Sequence, residues 1–293
     1  MKLHGILQLG WLGVVMLMVA CTSPSPHALA NAPTATAQAA RPAVPPTQTP
    51  APTETTVPTM TPGSTQACRE EHGRLDKLSL DSRTLARRVA YYIYLPPCYD
   101  TDQARVYPVL YLLHGAHADY TQWPDLNVAP DADTLIAQDS IAPFVVVMPD
   151  GDYRPGEDYA AFMLYDLMPH IEQTTRVARD RQGRAIGGLS QGGYWALEIA
   201  LTHPDLFGAA GGHSPATDSA LTGLLALTPT LSTLRIYLDA GRDDPLASSV
   251  AAFAAALQAR GLKPTFHLYS GGHNRIYWRA HTVEYLAFYS AGW

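Results

Sequence analysis

Ser190 stands in "GGLSQGGYWALEIA" (187–200), between glycines at 188 and 192 and directly ahead of an apolar run with helical spacing. Gly188-Leu189-Ser190-Gln191-Gly192 fits G-x-S-x-G, the pattern of a serine held on a sharp strand-to-helix turn. The backbone two residues to either side comes too close for any side chain larger than hydrogen. The helix opening at Gln191 points its positive end at the hydroxyl, where negative charge would develop during acyl transfer. A serine alone is a poor nucleophile and needs a base that a carboxylate orients. "YLDAGRDDPL" (237–246) places Asp243 and Asp244 just past a strand-like run, and "YSGGHNRIYW" (269–278) places His273 past the next one. Serine, acid and histidine therefore occur in the chain order used on open α/β sheets.

Eleven histidines compete for the base position. His267 falls inside a strand, His170, His203 and His281 on helices, and His4, His27 and His72 too early in the chain. His114, His117 and His213 are plausible neighbours of the serine. Only His273 both follows the acid and sits on a glycine loop free to reach back.

The elements that must position these residues alternate. Strand-like runs cover 74–80, 88–95, 106–115, 143–150, 183–189, 206–213, 234–241 and 264–270, with helical stretches between the later ones. Leu110, Leu112 and Val145-Val146-Val147 lie in near-continuous apolar runs, as strands covered on both faces require. The expectation is an α/β fold with a mostly parallel central sheet of about eight strands in a single catalytic domain. The first two strands, with no helix between them, are expected to form an antiparallel hairpin at one edge.

Composition narrows the partners. The chain has 293 residues, 47% hydrophobic and 16% charged, with a formal net charge of −6. That balance belongs to a folded protein with a sizeable core and argues against nucleic acid as a partner. Residues 1–20 pair Lys2 with an apolar stretch ending at Ala20-Cys21, the look of a lipoprotein leader that leaves Cys21 lipidated and the chain exported to the periplasm or cell surface. An uncleaved membrane anchor is the alternative. Residues 21–67 are rich in threonine and proline and read as a disordered tether, with the folded domain over 68–293. Cys68 and Cys98 are then left as a pair in an oxidising compartment, for which a disulfide is expected over two buried thiols.

"YYIYLPPCYD", "YPVLYLLHGAHADYTQW", "RAIGGLSQGGYWAL", "AGRDDPL" and "GGHNRIYW" span the folded region. Together they resemble the esterase branch of the α/β-hydrolases that includes esterase D (S-formylglutathione hydrolase), feruloyl esterases, enterochelin esterases and mycolyltransferases. The resemblance implies Ser190 as nucleophile, His273 as general base and Asp244, three residues after the strand-end Gly241, as acid, with Asp243 as the alternative. It also implies an oxyanion hole made by the backbone amides of Gln191 and Ala116. His114, His117 and Asp119 bunch together, but their spacing departs from metallo-hydrolase patterns, so no metal and no cofactor is expected. The implied activity is hydrolysis of a small or polymer-linked ester. Acyl transfer to a sugar alcohol, or a non-catalytic surface lipoprotein on a degenerate scaffold, are the alternatives. Trp123, Tyr153, Tyr194, Tyr277 and Trp278 are candidates for an aromatic cleft.

Overall fold

The computed structural model describes Cys68 and residues 70–151, 158–227 and 233–293. Cys21 and the expected leader and tether lie outside the described residues. Eight strands form one sheet: β1 (Arg74–Ser82), β2 (Arg87–Leu95), β3 (Val109–Leu113), β4 (Val145–Pro149), β5 (Arg184–Leu189), β6 (Ala209–His213), β7 (Arg235–Gly241) and β8 (Thr265–Tyr269). Their order across the sheet is β1-β2-β4-β3-β5-β6-β7-β8. β1 and β2 pair antiparallel, Arg74 opposite Leu95 through Ser82 opposite Arg87, and β2 pairs antiparallel with β4. Every remaining pair is parallel.

The helices are α1 (Gln122–Asp125), α2 (Val128–Ala137), α3 (Tyr159–Ala161), α4 (Met168–Thr174), α5 (Gln191–Thr202), α6 (Ser219–Leu227), α7 (Ala247–Ala259) and α8 (Arg275–Ser290). They cover both faces, and the period-2 alternation of the strands divides the core accordingly. Val109, Tyr111 and Leu113 face one core with Phe162, Leu197 and Phe253. Leu110 and Leu112 face the other with Trp123, Val128, Tyr285 and Tyr289. Each fully buried apolar side chain of these layers stabilises the fold by about 1.5–3 kcal/mol relative to exposure. Several strands end a few residues short of the expected runs, because the chain peels off the sheet there into the loops that carry polar side chains.

The run over 159–174 is not one α-helix. A π-helical turn, Phe162–Leu167, joins α3 to α4. Pro169, the second residue of α4, has no amide for the carbonyl of Tyr165, so the regular ladder is interrupted there. The wider turn presents Asp166 to the β1–β2 hairpin, where it accepts from the Ser82 hydroxyl (2.6 Å) and the Thr84 amide (2.9 Å).

Parallel order reverses between β4-β3 and β3-β5, which opens a crevice at the carboxyl ends of β3 and β5. The histidine-rich loop after β3 and Ser190 after β5 both emerge into it. Cys68 and Cys98 are joined in a disulfide that ties the start of the described region to the turn after β2. Among the described residues, no helix is long and apolar enough to cross a membrane. Replacing both cysteines with serine should lower stability by about 3.6 kcal/mol, the loop-closure value for a bridge spanning 30 residues. Urea unfolding checks this, with alkylation of the unreduced, unfolded wild type expected to capture neither thiol.

Candidate active site

β5 ends at Leu189 and α5 begins at Gln191, so Ser190 alone makes the turn. Its backbone sits at φ 52° and ψ −115°, a conformation that costs a residue with a Cβ about 1–3 kcal/mol and persists only where the surroundings over-determine it. They do. The Ser190 amide donates to the His213 carbonyl (2.9 Å), and the Ser190 carbonyl accepts from Tyr194 (3.1 Å) and Ala216 (3.0 Å). A Cβ on Gly188 would lie 2.3 Å from the Gly192 carbonyl, and one on Gly192 would lie 2.3 Å from the His114 oxygen. The first turn of α5 is thereby pressed against the ends of β5 and β3 at once.

Three loops meet at this turn. The Ser190 Oγ and His273 Nε2 are 3.0 Å apart. His273 Nδ1 lies 2.9 Å from Asp244 Oδ2. With Asp244 ionised, Nδ1 carries the proton and donates to it, which leaves Nε2 to accept from the serine hydroxyl. The Asp244 side chain is fully buried, and its other oxygen accepts from the Leu246 amide at 2.7 Å. Asp243 is exposed; its amide donates to the Gly271 carbonyl. A Cβ on Gly241 would lie 2.1 Å from that same carbonyl, so the acid loop and the histidine loop touch backbone to backbone. Of the two adjacent aspartates, the structure brings Asp244 to His273.

The loop after β3 is braced from both sides. His114 is buried; its Nε2 accepts from the Gly151 amide (2.9 Å), so its Nδ1 holds the hydrogen and donates to the Gly115 carbonyl (2.8 Å). The Gly115 amide donates to Gln122 Oε1 at 2.7 Å. In a trans peptide the carbonyl and the next amide point in opposite directions. Fixing the Gly115 oxygen on His114 therefore turns the Ala116 amide the other way. Among the described residues, neither the Ala116 nor the Gln191 amide donates to a protein acceptor. Gln122 was not singled out from sequence; no motif marks it, since it reaches the loop from α1.

The aromatic candidates divide. Trp123 and Tyr277 are core residues whose polar atoms are engaged inside the protein, Trp123 Nε1 on the Leu113 carbonyl and the Tyr277 hydroxyl on Asp239. Aromatic type alone does not reveal which way a ring faces, and these two face the sheet. Trp278 packs edge-on against His273, ring centres 5.0 Å apart. It also lines a cavity of about 350 Å³ with His117, Asp119, Gln122 and Arg275. Tyr194 is half-buried, and Tyr153 lies outside the described residues.

An eight-stranded, mostly parallel sheet covered by helices on both faces, with a strained serine at the end of a central strand, defines an α/β-hydrolase. The sequence matches the family described as Putative esterase over residues 82–289, and the chain belongs to that family. An endo-1,4-β-xylanase/feruloyl esterase of Xylanibacter ruminicola is 32% identical over 151 residues, 47% of this chain and 21% of that protein. An esterase of Mycobacterium tuberculosis is 32% identical over 163 residues, 51% of this chain and 34% of that protein. The chain thus spans a third or less of the length of these relatives. Among solved structures, a ferulic acid esterase superposes with a TM-score of 0.68 at 25% identity, covering 76% of this chain and 99% of that one.

The geometry separates the two aspartates by experiment. Asp244→Asn should lower kcat for p-nitrophenyl acetate by about a thousandfold or more, because the imidazole loses the partner that sets its tautomer. Asp243→Asn should stay within about twofold, as an exposed side chain usually does. Steady-state kinetics on both variants, with circular dichroism to verify folding, checks the pair.

Proposed function

We propose that the protein is a carboxylic-ester hydrolase that works through an acyl-enzyme on Ser190. The observation that carries this reading is the continuous chain from Ser190 Oγ through His273 to the buried Asp244, at 3.0 and 2.9 Å, with the Ala116 and Gln191 amides not engaged by protein acceptors among the described residues. His273 Nε2 takes the hydroxyl proton as Oγ bonds to the ester carbonyl carbon. The carbonyl π pair moves onto oxygen, which the Ala116 and Gln191 amides receive, each worth about 3 kcal/mol in the transition state. His273 then gives its proton to the departing alkoxide as the carbon–oxygen bond breaks, releasing the alcohol. Water enters and loses a proton to the same imidazole as its oxygen bonds to the acyl carbon; His273 then returns that proton to Oγ as the carbon–Oγ bond breaks, releasing the acid and restoring serine and base. The substrate's carbonyl carbon keeps its oxidation state, so these residues suffice for the reaction.

Support for an aryl or sugar-linked ester comes from two sides. The names of the relatives include a feruloyl esterase and a ferulic acid esterase. Asp119, Thr121, Gln122, Asp125 and Arg275 line a cavity together with Trp278, whose ring packs against His273. Carboxylates, a guanidinium and an amide beside an indole suit a hydroxyl-bearing ring on the alcohol half. The leader-like residues 1–20 ahead of Cys21 and the threonine- and proline-rich stretch behind it support a reading of this activity outside the cytoplasm on a lipid anchor.

The test is Ser190→Ala against wild type on p-nitrophenyl acetate and on a feruloylated arabinose. Wild type should hydrolyse both, and a fluorophosphonate should add one equivalent of mass to it. Ser190→Ala should lose activity and labelling while its stability holds or rises slightly, since the strained position has no other structural task. Wild-type turnover by Ser190→Ala would overturn the mechanism. Acylated sugar formed in preference to free acid, when glucose or trehalose is added, would move the reading to acyl transfer.

A further inference from the structure

The structure holds a second aspartate–histidine pair, and its place in the sheet is the informative point. Leu189, His213 and Asp239 are register partners across β5, β6 and β7, the row immediately beneath Ser190. His213 and Asp239 are both fully buried. His213 Nδ1 lies 2.9 Å from Asp239 Oδ1, and Asp239 Oδ2 accepts from the hydroxyls of Tyr277 (2.6 Å) and Tyr285 (2.9 Å). The Tyr289 hydroxyl lies 2.9 Å from His213 Nε2. One hydrogen-bond pattern satisfies every member: Tyr289 donates to Nε2, Nδ1–H donates to Asp239, and two phenols donate to its other oxygen. Burial, reinforced by Asp239, pushes the titration of Tyr277 and Tyr285 far upward, and burial does the same for Tyr289, so all three phenols keep the protons this pattern needs.

The three phenols come from one helix. Tyr277, Tyr285 and Tyr289 lie along one stripe of α8, spaced over three turns. The sheet is cleared for the last of them: a Cβ on Gly187 or Gly211 would lie 1.8 or 2.0 Å from the Tyr289 hydroxyl oxygen. The first phenol is next to the catalytic loop. His273 directly precedes Asn274, which caps α8 by accepting from the Tyr277 amide at 3.1 Å. A Cβ on Gly271 would lie 2.9 Å from the Tyr277 ring, so the glycine loop rests on that ring. A carboxylate without water around it is costly unless fully hydrogen-bonded. Here two of the three donors that satisfy it are supplied by the helix that begins where the histidine loop ends.

We infer that Asp239 and His213 form an anchoring centre that holds α8 in register with the sheet, and that Tyr277 is the positioning residue through which this anchor sets His273 against Ser190. The inference rests on the serine-esterase reading above. Apolar contacts alone would let the first turn of α8 slide or rotate; the 2.6 Å bond from Tyr277 to Asp239 does not. Neither Asp239 nor His213 touches substrate in this arrangement. They act through the height of the loop that carries the base.

The test compares two hydroxyl deletions of equal chemistry. Tyr277→Phe keeps the ring under Gly271 and removes only the bond to Asp239. Tyr94→Phe removes another buried tyrosine–aspartate bond, that of Tyr94 to Asp133 (2.6 Å), between β2 and α2. Both should lower the melting temperature to a similar extent. Tyr277→Phe should lower kcat by about ten- to a hundredfold, with KM within about twofold, because a misplaced base costs rate and not binding. Tyr94→Phe should leave both constants within about twofold. The rate of fluorophosphonate labelling should fall with kcat in Tyr277→Phe, since the same imidazole must activate Ser190. A Tyr277→Phe enzyme with kcat within twofold of wild type overturns the anchor, as does an equal loss of kcat in Tyr94→Phe. In either case an inactive Ser190→Ala beside an active wild type leaves the esterase reading standing. A wild type without ester hydrolysis would remove both.

Discussion

The gap between the first turn of α5 and the end of β3 is too narrow for a Cβ, and the arrangement of the site depends on that distance. Gly192 lies under the carbonyls of Leu113 and His114, and Gly188 lies under the carbonyl of Gly192. A larger residue at either place would lift α5 off the sheet, and Ser190 would no longer be held at positive φ. The same two carbonyls belong to the residues that launch the Gly115–Ala116 loop. One close contact therefore sets the height of the hydroxyl and the start of the loop after β3. Neither could be adjusted independently, which is how a packed interior transmits a local constraint.

The two aspartate–histidine pairs differ in one respect that separates their roles. Each aspartate is buried and each histidine presents Nδ1 to it at 2.9 Å. In the inner pair Nε2 meets the Tyr289 hydroxyl; in the outer pair it meets Ser190 Oγ, and the His273 side chain keeps 27% of its exposure. In the proposed mechanism a proton enters and leaves the outer imidazole through the reacting groups. The inner one is closed in by Trp123, Tyr285 and Tyr289 rings and has no such route. The same chemical pair can serve as a base or as an anchor, and access decides which.

Much of the fold is legible in the sequence because burial on both faces leaves a strong mark: Val109–Leu113 and Val145–Pro149 are apolar almost without interruption. The glycines around Ser190 are legible for a related reason, since few other demands place four of them beside one serine. The choice of Asp244 over Asp243 is legible only through the family resemblance, which sets the acid three residues after Gly241. Residue type does not separate two adjacent aspartates; the turn after Gly241 sends Asp244 inward and Asp243 to solvent. The aromatic cleft misled in part because ring type carries no direction; Trp123 and Tyr277 spend their polar atoms on the sheet. His213 is picked out in the sequence only as a neighbour of Ser190, and its pairing with Asp239 is not, because the two meet through strand register, and register depends on an order of strands that no local pattern encodes.

Helix α8 shows why that polar centre lies where it does. Hydrophobic burial is strong but non-directional, so it presses a helix to a sheet without fixing how far along the sheet it sits. Hydrogen bonds to fixed acceptors supply the missing coordinate. Arg235 donates to the carbonyls of Phe288 (2.7 Å) and Tyr289 (3.0 Å) at the carboxyl end of α8, where a cation also meets the negative end of the helix. Arg279 is paired with Asp131 of α2 at 2.9 Å, and Arg275 donates to the Asp125 carbonyl at 2.6 Å. With the three phenols on its inner stripe, the helix is fixed at both ends and along its length. A helix that only covered the sheet would need none of this. One that begins two residues after His273, with the cap Asn274 between them, has to be fixed to a fraction of an ångström, because the imidazole it follows must meet a hydroxyl carried by a different strand.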